Sequence, residues 1–378
     1  MVVGVSASML GVGAGPAPGE ASLIARDAPI ALVIDQSSGQ VLFSKDADRR
    51  FVPASMTKIM TTYVAFELMD EGRIKPDTVF EMSDEAAKEW TGQGSRMFLE
   101  AGDRVRVADL LTAITTISAN DATIMLAEGS LGSVSRWVER MNAEARRLGM
   151  NNTRFGTPNG WPDEGRTFTT AADLAKLTRA LIERHPEEYR QYYGKSEFGY
   201  NGIAQSNHNP ITGVVPGADG VKTGYTNHAG YGFVGSAKRG DTRIVMVVGA
   251  MGSSRDRAEV SRNLVEWGFD GFQRKSLFGK AAVVGQAEVQ DGDRFSVDLT
   301  TSHPVVLACP SRSACEQDAT IRYRGPLRAP IEKGEHVADL VVATPGLPDT
   351  VIPLEAADKV EQASFPRRVV NGLAGVFR

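Results

Sequence analysis

Residues 230–251, GYGFVGSAKRGDTRIVMVVGAM, read as two β-rich runs, Gly230 to Lys238 and Arg243 to Met251, turned at Arg239-Gly240-Asp241. A second hairpin signal stands near the start of the chain, where Ile30 to Asp35 and Val41 to Lys45 are joined by Ser37-Ser38-Gly39. Helical periodicity fills the space between them, at roughly 55–71, 107–116, 120–129, 134–148 and 170–184. A further helix over about 255–272 carries Val260, Leu264, Val265, Trp267 and Phe269. Strands at both ends with helices between them predict an α+β domain, an antiparallel sheet backed by a helical cluster.

Beyond this block the pattern changes. Short alternating runs recur at Ala281–Val284, Phe295–Leu299, Val305–Leu307, Thr320–Tyr323, Val337–Val342 and Val351–Leu354, punctuated by Gly and Pro. Without a helical period, they predict a small all-β sandwich. The 378 residues, 42% apolar and 23% charged, suffice for two soluble domains with cores of their own. The expected division is an arm over 1–27, the α+β domain over 28–273 and the sandwich over 274–358, with no internal repeat.

The ends are distinct. Residues 1–20, MVVGVSASMLGVGAGPAPGE, hold no charge before Glu20. They read either as the tail of a secretory signal, with small residues around Ala17 to Ala21, or as a disordered Gly/Ala arm. In the tail, 362–378, a helix begun at Pro366 gathers Val369, Val370, Leu373, Val376 and Phe377 on one face, with Arg367, Arg368 and Asn371 on the other. That is an interfacial anchor for a membrane surface, or a tail helix docked on its own protein. Gly372 and Gly375 weaken such a helix in water by about 1 kcal/mol each. No run approaches the roughly eighteen apolar residues of a membrane-spanning helix. A net charge of −4 gives no reason to expect nucleic acid. The five histidines (His185, His208, His228, His303, His336) lack metal-ligand spacing, so no metal or other cofactor is expected.

Three short stretches carry chemistry. In Pro53-Ala54-Ser55-Met56-Thr57-Lys58, Pro53 marks a helix entry, and Lys58 shares a helix face with Ser55 three residues earlier. A serine hydroxyl needs an adjacent base, and a lysine serves only when burial or neighbouring positive charge lowers its pKa. Ser-x-x-Lys alone arises by chance about once in a chain of this length, and its plain alternative is a capping serine beside a solvated lysine. Ser118-Ala119-Asn120 falls at a break between helical runs, where it presents a hydroxyl and a carboxamide, or where Asn120 or Asp121 caps the next helix. The same spacing recurs at Ser261-Arg262-Asn263. Lys222-Thr223-Gly224-Tyr225 opens the β-rich block, and Lys-Thr-Gly is expected by chance about once in ten such chains. Lys222 and Thr223 suit a substrate carboxylate, and Gly224 admits close backbone approach, unless Lys222 is simply an exposed strand lysine.

In this order the three motifs resemble the Ser-x-x-Lys, Ser-x-Asn and Lys-Thr-Gly set of the penicillin-recognising serine enzymes. PASMTK, SANDA and DGVKTGYTNHAGY are more closely similar to the low-molecular-mass penicillin-binding proteins that act as D-alanyl-D-alanine carboxypeptidases. The likeness runs through most of 28–273, includes the loop NNTRFGTPNG, and extends more loosely to the β-rich domain and tail. It implies removal of the terminal D-alanine from peptidoglycan stem pentapeptides through an acyl-enzyme on Ser55, with β-lactams as inhibitors. Lys58 would be the base, Ser118 the proton relay assisted by Lys222, and the amides of Ser55 and Tyr225 the oxyanion hole. Asn120 would hold the substrate amide, while Lys222 and Thr223 hold its carboxylate. It also implies a periplasmic enzyme attached to the outer face of the cytoplasmic membrane through the C-terminal helix.

Two departures limit that transfer. Where the family often has an arginine upstream of Lys-Thr-Gly, this chain reads Asn207-His208-Asn209. Arg257 matches a family arginine, but no direct role is assigned to it. Asp163 and Glu164 sit where a class A β-lactamase places its deacylating glutamate, but the surrounding Trp161-Pro162-Asp163-Glu164-Gly165 does not match, so no efficient β-lactamase is expected. A D,D-endopeptidase remains the alternative enzyme, and a non-catalytic peptidoglycan-binding protein the alternative from another class. Cys309 and Cys315 either close a small disulfide loop in an oxidising compartment or stay reduced and buried.

Overall fold

The computed structural model describes residues 2–5, 18–311 and 317–364. It divides into two compact units, one mainly Glu20–Gln36 with Phe43–Phe269, the other mainly Ser37–Leu42 with the chain from Asp270 onward.

In the first unit a five-stranded sheet runs in the order Gln40–Lys45, Ile30–Asp35, Thr242–Met251, Gly230–Arg239, Ala218–Thr226. The strands of the opening motif pair antiparallel, Val245 against Ser236 and Val247 against Val234. Thr242–Met251 then pairs with the early strand, Val247 against Leu32. Ile244 through Val248 are all buried, so both faces of this central strand are covered. Ala218–Thr226 pairs with Gly230–Arg239, Thr223 opposite Phe233. Among the described residues its other side is unpaired, which makes it the sheet's edge.

The helix Lys58–Asp70 is buried at every position from Lys58 to Leu68, as expected of a helix packed on all sides. Val107–Thr116, Val134–Arg147 and Ala171–Arg184 pack against it. Local signals set the helix starts: Ser133 Oγ accepts from Arg136 N at 3.3 Å and Thr170 Oγ1 from Asp173 N at 3.1 Å. Sequence periodicity did not anticipate the short helices Asp84–Trp90 and Pro186–Tyr192. Each is seven residues long, too short to show a period.

The second unit is all-β. A seven-stranded sheet, in the order Val2–Val5, Asp318–Arg322, His336–Ala343, Thr350–Ala356, Ser296–Thr300, Val283–Gln290, Leu327–Arg328, is accompanied by the pair Phe272–Phe278 and Val305–Pro310. Residues of both sheets, including Leu299, Leu340, Leu354 and Leu307, bury into one core, as a sandwich requires. Strand Val2–Val5 and helix Pro18–Ile24 lie in the N-terminal arm. Cys309 is buried and disulfide-bonded, while Cys315 lies outside the described residues. Of the tail, Gln362 bridges to Gly292, residues 362–364 carry no helix, and 365–378 lie outside the described residues. Among the described residues no helix is long and apolar enough to cross a membrane, and no cluster of His, Cys, Asp and Glu could hold a metal.

Candidate active site

Ser55 lies in a 3-10 turn, Ala54–Thr57, that leads directly into the helix Lys58–Asp70. Residues three apart eclipse one another in such a turn, so Lys58 stands over Ser55. Its Nζ is 3.0 Å from Ser55 Oγ, and it also donates to Asn120 Oδ1 at 2.8 Å and to the Asn159 carbonyl at 2.7 Å. Asn120 Nδ2 donates to the Gln93 carbonyl at 3.2 Å, which fixes Oδ1 toward the lysine. A neutral amine has two N–H groups and one lone pair. With Asn120 and Asn159 taking the N–H groups, the lone pair is left to face the serine hydroxyl.

Electrostatics favour that neutral form. Lys58 is buried, and burial first, then the charge of Lys222, push its pKa well below the ordinary lysine range against a weaker pull from Asp121. Lys222 is buried too, and burial followed by the Arg257 charge brings it down to about 7. Both solvated-lysine alternatives therefore fail. Asp121 is occupied elsewhere: it accepts from Met97 N and Leu99 N at 3.0 and 3.1 Å, tying that segment to the helix Asn120–Leu131.

Backbone geometry brings the three motifs together. Ser118 has φ 65 in the break between helices, a left-handed conformation uncommon for a residue with a side chain. Its Oγ is buried without a hydrogen-bond partner. Asn120 does not cap the helix with its side chain, which goes to Lys58 and the Gln93 carbonyl. A Cβ at Gly224 would collide with the Pro53 carbonyl oxygen, so only glycine lets the edge strand lie against the serine turn. Gly160, with φ +75, is pressed in the same way against the Ala54 carbonyl from the loop side.

A cavity of about 540 Å³ opens over these groups. Ser55, Ser118, Asn120, Thr223 and Tyr225 line it, so five of the seven residues expected from sequence meet there. Lys58 is hydrogen-bonded just beneath, and Lys222 Nζ donates to the Thr223 carbonyl at 3.1 Å. No carboxylate lines the cavity among the described residues. The second Ser-x-Asn, Ser261 to Asn263, is part of the helix Ser254–Asp270 and not of the site.

Several residues were not anticipated. Arg257 lines the cavity with its guanidinium buried, Nε without a partner, Nη2 on Ser254 Oγ at 3.3 Å and its plane over Tyr231 at 5.6 Å. The signal was present: Arg257 stands three and seven residues before Val260 and Leu264, on the helix's apolar stripe. His208 lines the cavity where the family pattern calls for arginine. Asn159 contributes through its backbone carbonyl, which side-chain chemistry cannot forecast. Asp163 is buried and structural, accepting from Thr167 N at 3.1 Å and Thr167 Oγ1 at 2.5 Å, while Glu164 is exposed and does not line the cavity.

A serine turn, an α+β sheet with its Lys-Thr-Gly strand at the edge and a following β-domain define a low-molecular-mass penicillin-binding protein. Residues 18–254 match the family described as D-alanyl-D-alanine carboxypeptidase, and 272–362 match the penicillin-binding protein 5 C-terminal domain. The chain belongs to the D-alanyl-D-alanine carboxypeptidase family. It is 36% identical over 351 residues to the D-alanyl-D-alanine carboxypeptidase DacC of Escherichia coli, covering 91% of this chain and 86% of that one. The structure of penicillin-binding protein 5 from Haemophilus influenzae superposes with a TM-score of 0.78 at 31% identity, covering 93% of this chain and 100% of that chain. A penicillin-binding protein from Listeria monocytogenes in its ampicillin-bound form matches with a TM-score of 0.58 at 29% identity, covering 65% of this chain and 98% of that chain.

Proposed function

We propose that the protein is a serine-type D-alanyl-D-alanine carboxypeptidase that removes the last D-alanine from peptidoglycan stem pentapeptides. The observation that carries this reading is Lys58 Nζ, buried and 3.0 Å from Ser55 Oγ, with its pKa lowered toward the neutral amine. Lys58 takes the hydroxyl proton as Ser55 Oγ attacks the carbonyl between the two D-alanines. The amides of Ser55 and Tyr225 stabilise the oxyanion. As the C–N bond breaks, Ser118 relays to the departing amine the proton that Lys58 took from Ser55, and D-alanine leaves with Lys58 neutral again. Water then attacks the ester carbonyl, its proton returns through Lys58, and Ser55 is restored.

The open edge of Ala218–Thr226 lets the substrate add as an extended strand. Asn120 is within reach of its amide, and Lys222 and Thr223 of its terminal carboxylate. Arg257 joins that carboxylate set because an Arg side chain 6% exposed, with Nε unpartnered, needs an anion. β-Lactams enter the same edge and acylate Ser55. D-alanine release from a soluble pentapeptide should vanish in Ser55→Ala, and equal release from both proteins would overturn the assignment.

The substrate places the enzyme outside the cytoplasmic membrane, and we infer a periplasmic protein held to its outer face by the tail at 362–378. The full chain should bind anionic vesicles and a chain ending at Glu361 should not. The secretory reading of residues 1–20 competes with the strand Val2–Val5, and sequencing the N-terminus of the exported protein decides between them. Residues 28–273 would then be the catalytic domain and 274–358 its β-sandwich companion.

A further inference from the structure

Trp161 stands at the cavity wall two residues past Asn159, and its side chain takes no part in the acylation chemistry. It is 36% exposed, yet built into place. Asn159 Oδ1 accepts from its backbone N–H at 3.0 Å. Its indole meets the buried Trp90 edge-on, ring centres 5.5 Å apart and planes at 82°. A Cβ on Gly94 would lie 3.0 Å from Trp161 Cζ3, so the Gly94 backbone bounds a second side of the ring. Held in this way, the indole has little freedom to turn its remaining apolar surface away from the cavity. A second exposed aromatic, Tyr225, also lines the cavity and is stacked on Tyr231 at 4.1 Å. Rigid aromatic surface facing a pocket loses little entropy on binding and gains when a ligand covers it.

Two D-alanine residues offer two methyl groups, too little to cover an indole and a phenol in a cavity of about 540 Å³. The part of the substrate that remains is the residue before D-Ala-D-Ala, whose backbone enters with the scissile pair. With no carboxylate in the cavity lining among the described residues, an amine buried there would find no counter-charge. A chain with an apolar stem and a polar tip fits, the stem on the indole and the tip in solvent.

We propose that Trp161 is the wall of an apolar subsite for the aliphatic stem of the long side chain preceding D-Ala-D-Ala. It thereby sets substrate preference in the carboxypeptidase reaction, on which this inference rests. It is a specificity-determining residue and takes no part in proton transfer.

Two N-acetylated tripeptides test it, one with glycine and one with Nε-acetyl-lysine before D-Ala-D-Ala. Native chain, Trp161→Ala and Trp161→Phe are compared by kcat/KM for D-alanine release. In Trp161→Ala the loss on the lysyl peptide should exceed the loss on the glycyl peptide by about tenfold, as expected from uncovering part of a large apolar contact. Trp161→Phe, which keeps a ring against Trp90, should retain most of the preference. A parallel arm reads acylation of Ser55 by benzylpenicillin against the penicillin nucleus without its acyl side chain, and the same selective loss is expected. Equal loss on both members of each pair would reduce Trp161 to a loop support and overturn the proposal, as would no loss on either. If the native chain released no D-alanine from either peptide, the carboxypeptidase reading would fail, and the penicillin arm would still decide the subsite.

Discussion

The two ends of the helix Lys58–Asp70 bury opposite charges and treat them in opposite ways. Lys58 has only neutral partners in contact, a hydroxyl, a carboxamide oxygen and a backbone carbonyl, with a second lysine near enough to depress its pKa. Glu67, about two and a half turns on, is met by two arginines, Arg147 at 2.8 Å and Arg184 at 3.3 Å, with the His185 ring at 3.1 Å. Burial opposes the Glu67 charge, but the Tyr63 hydroxyl, Arg147 and Arg184 outweigh it and hold the carboxyl below its usual range. The same desolvation therefore yields a reactive amine where no counter-ion is supplied and a fixed charge where several are. Reactivity at Ser55 depends on what the neighbourhood of Lys58 withholds.

The largest effect should come from removing the unpaired end. Lys58→Ala should slow acylation by a fluorescent penicillin by about 10³-fold or more, the scale on which nucleophile and base act as a unit. Its thermal midpoint should not fall by the amount a broken ion pair would cost, because no counter-charge is left stranded. Glu67→Ala should do the reverse. It leaves Arg184 without its carboxylate while Arg147 keeps Glu144 at 2.6 Å, and should lower stability by roughly 1–2 kcal/mol in urea unfolding, less than for a fully buried pair because both arginines are partly exposed. Acylation per folded molecule should stay near native. A loss of acylation as large as that of Lys58→Ala would show that the two ends are not independent.

The smallest effect lies in pH dependence. The proposed mechanism needs Lys58 neutral and Lys222 charged, so kcat/KM should rise as Lys58 loses its proton and fall as Lys222 loses its own at about 7. The substrate carboxylate stabilises the charged lysine, so the falling limb of kcat should lie higher than that of kcat/KM. Lys222→Arg stays protonated and should lose the falling limb while keeping the rising one. A falling limb that persists in the arginine variant would assign it to another group.

Much of this architecture was legible in the sequence, for identifiable reasons. The hairpins at Ile30–Lys45 and Gly230–Met251 are short β-rich runs joined by glycine-containing turns, and the long helices have enough residues to display a period. Ser55, Lys58, Ser118, Asn120 and Lys222 announce themselves because hydroxyl, amine and carboxamide side chains in three ordered motifs are a signal that a sequence displays. Asn159 did not, since it acts through a carbonyl that every residue has. Arg257 was visible without a role: an arginine on an apolar helix stripe is a buried cation, but a single sequence does not show that the stripe's end opens onto the cavity. Trp161 read as a loop residue because nothing in a single sequence shows that Trp90 and Gly94 close around it.

The unpaired edge of Ala218–Thr226 has a consequence for selection under antibiotics. If peptide and β-lactam both dock along Lys222-Thr223-Gly224, a substitution there that shuts out the drug also shuts out the cell-wall precursor. Gly224 is doubly constrained, because any side chain would also strike the turn that carries Ser55. Resistance arising within this protein would have to come from positions that the two ligands use unequally.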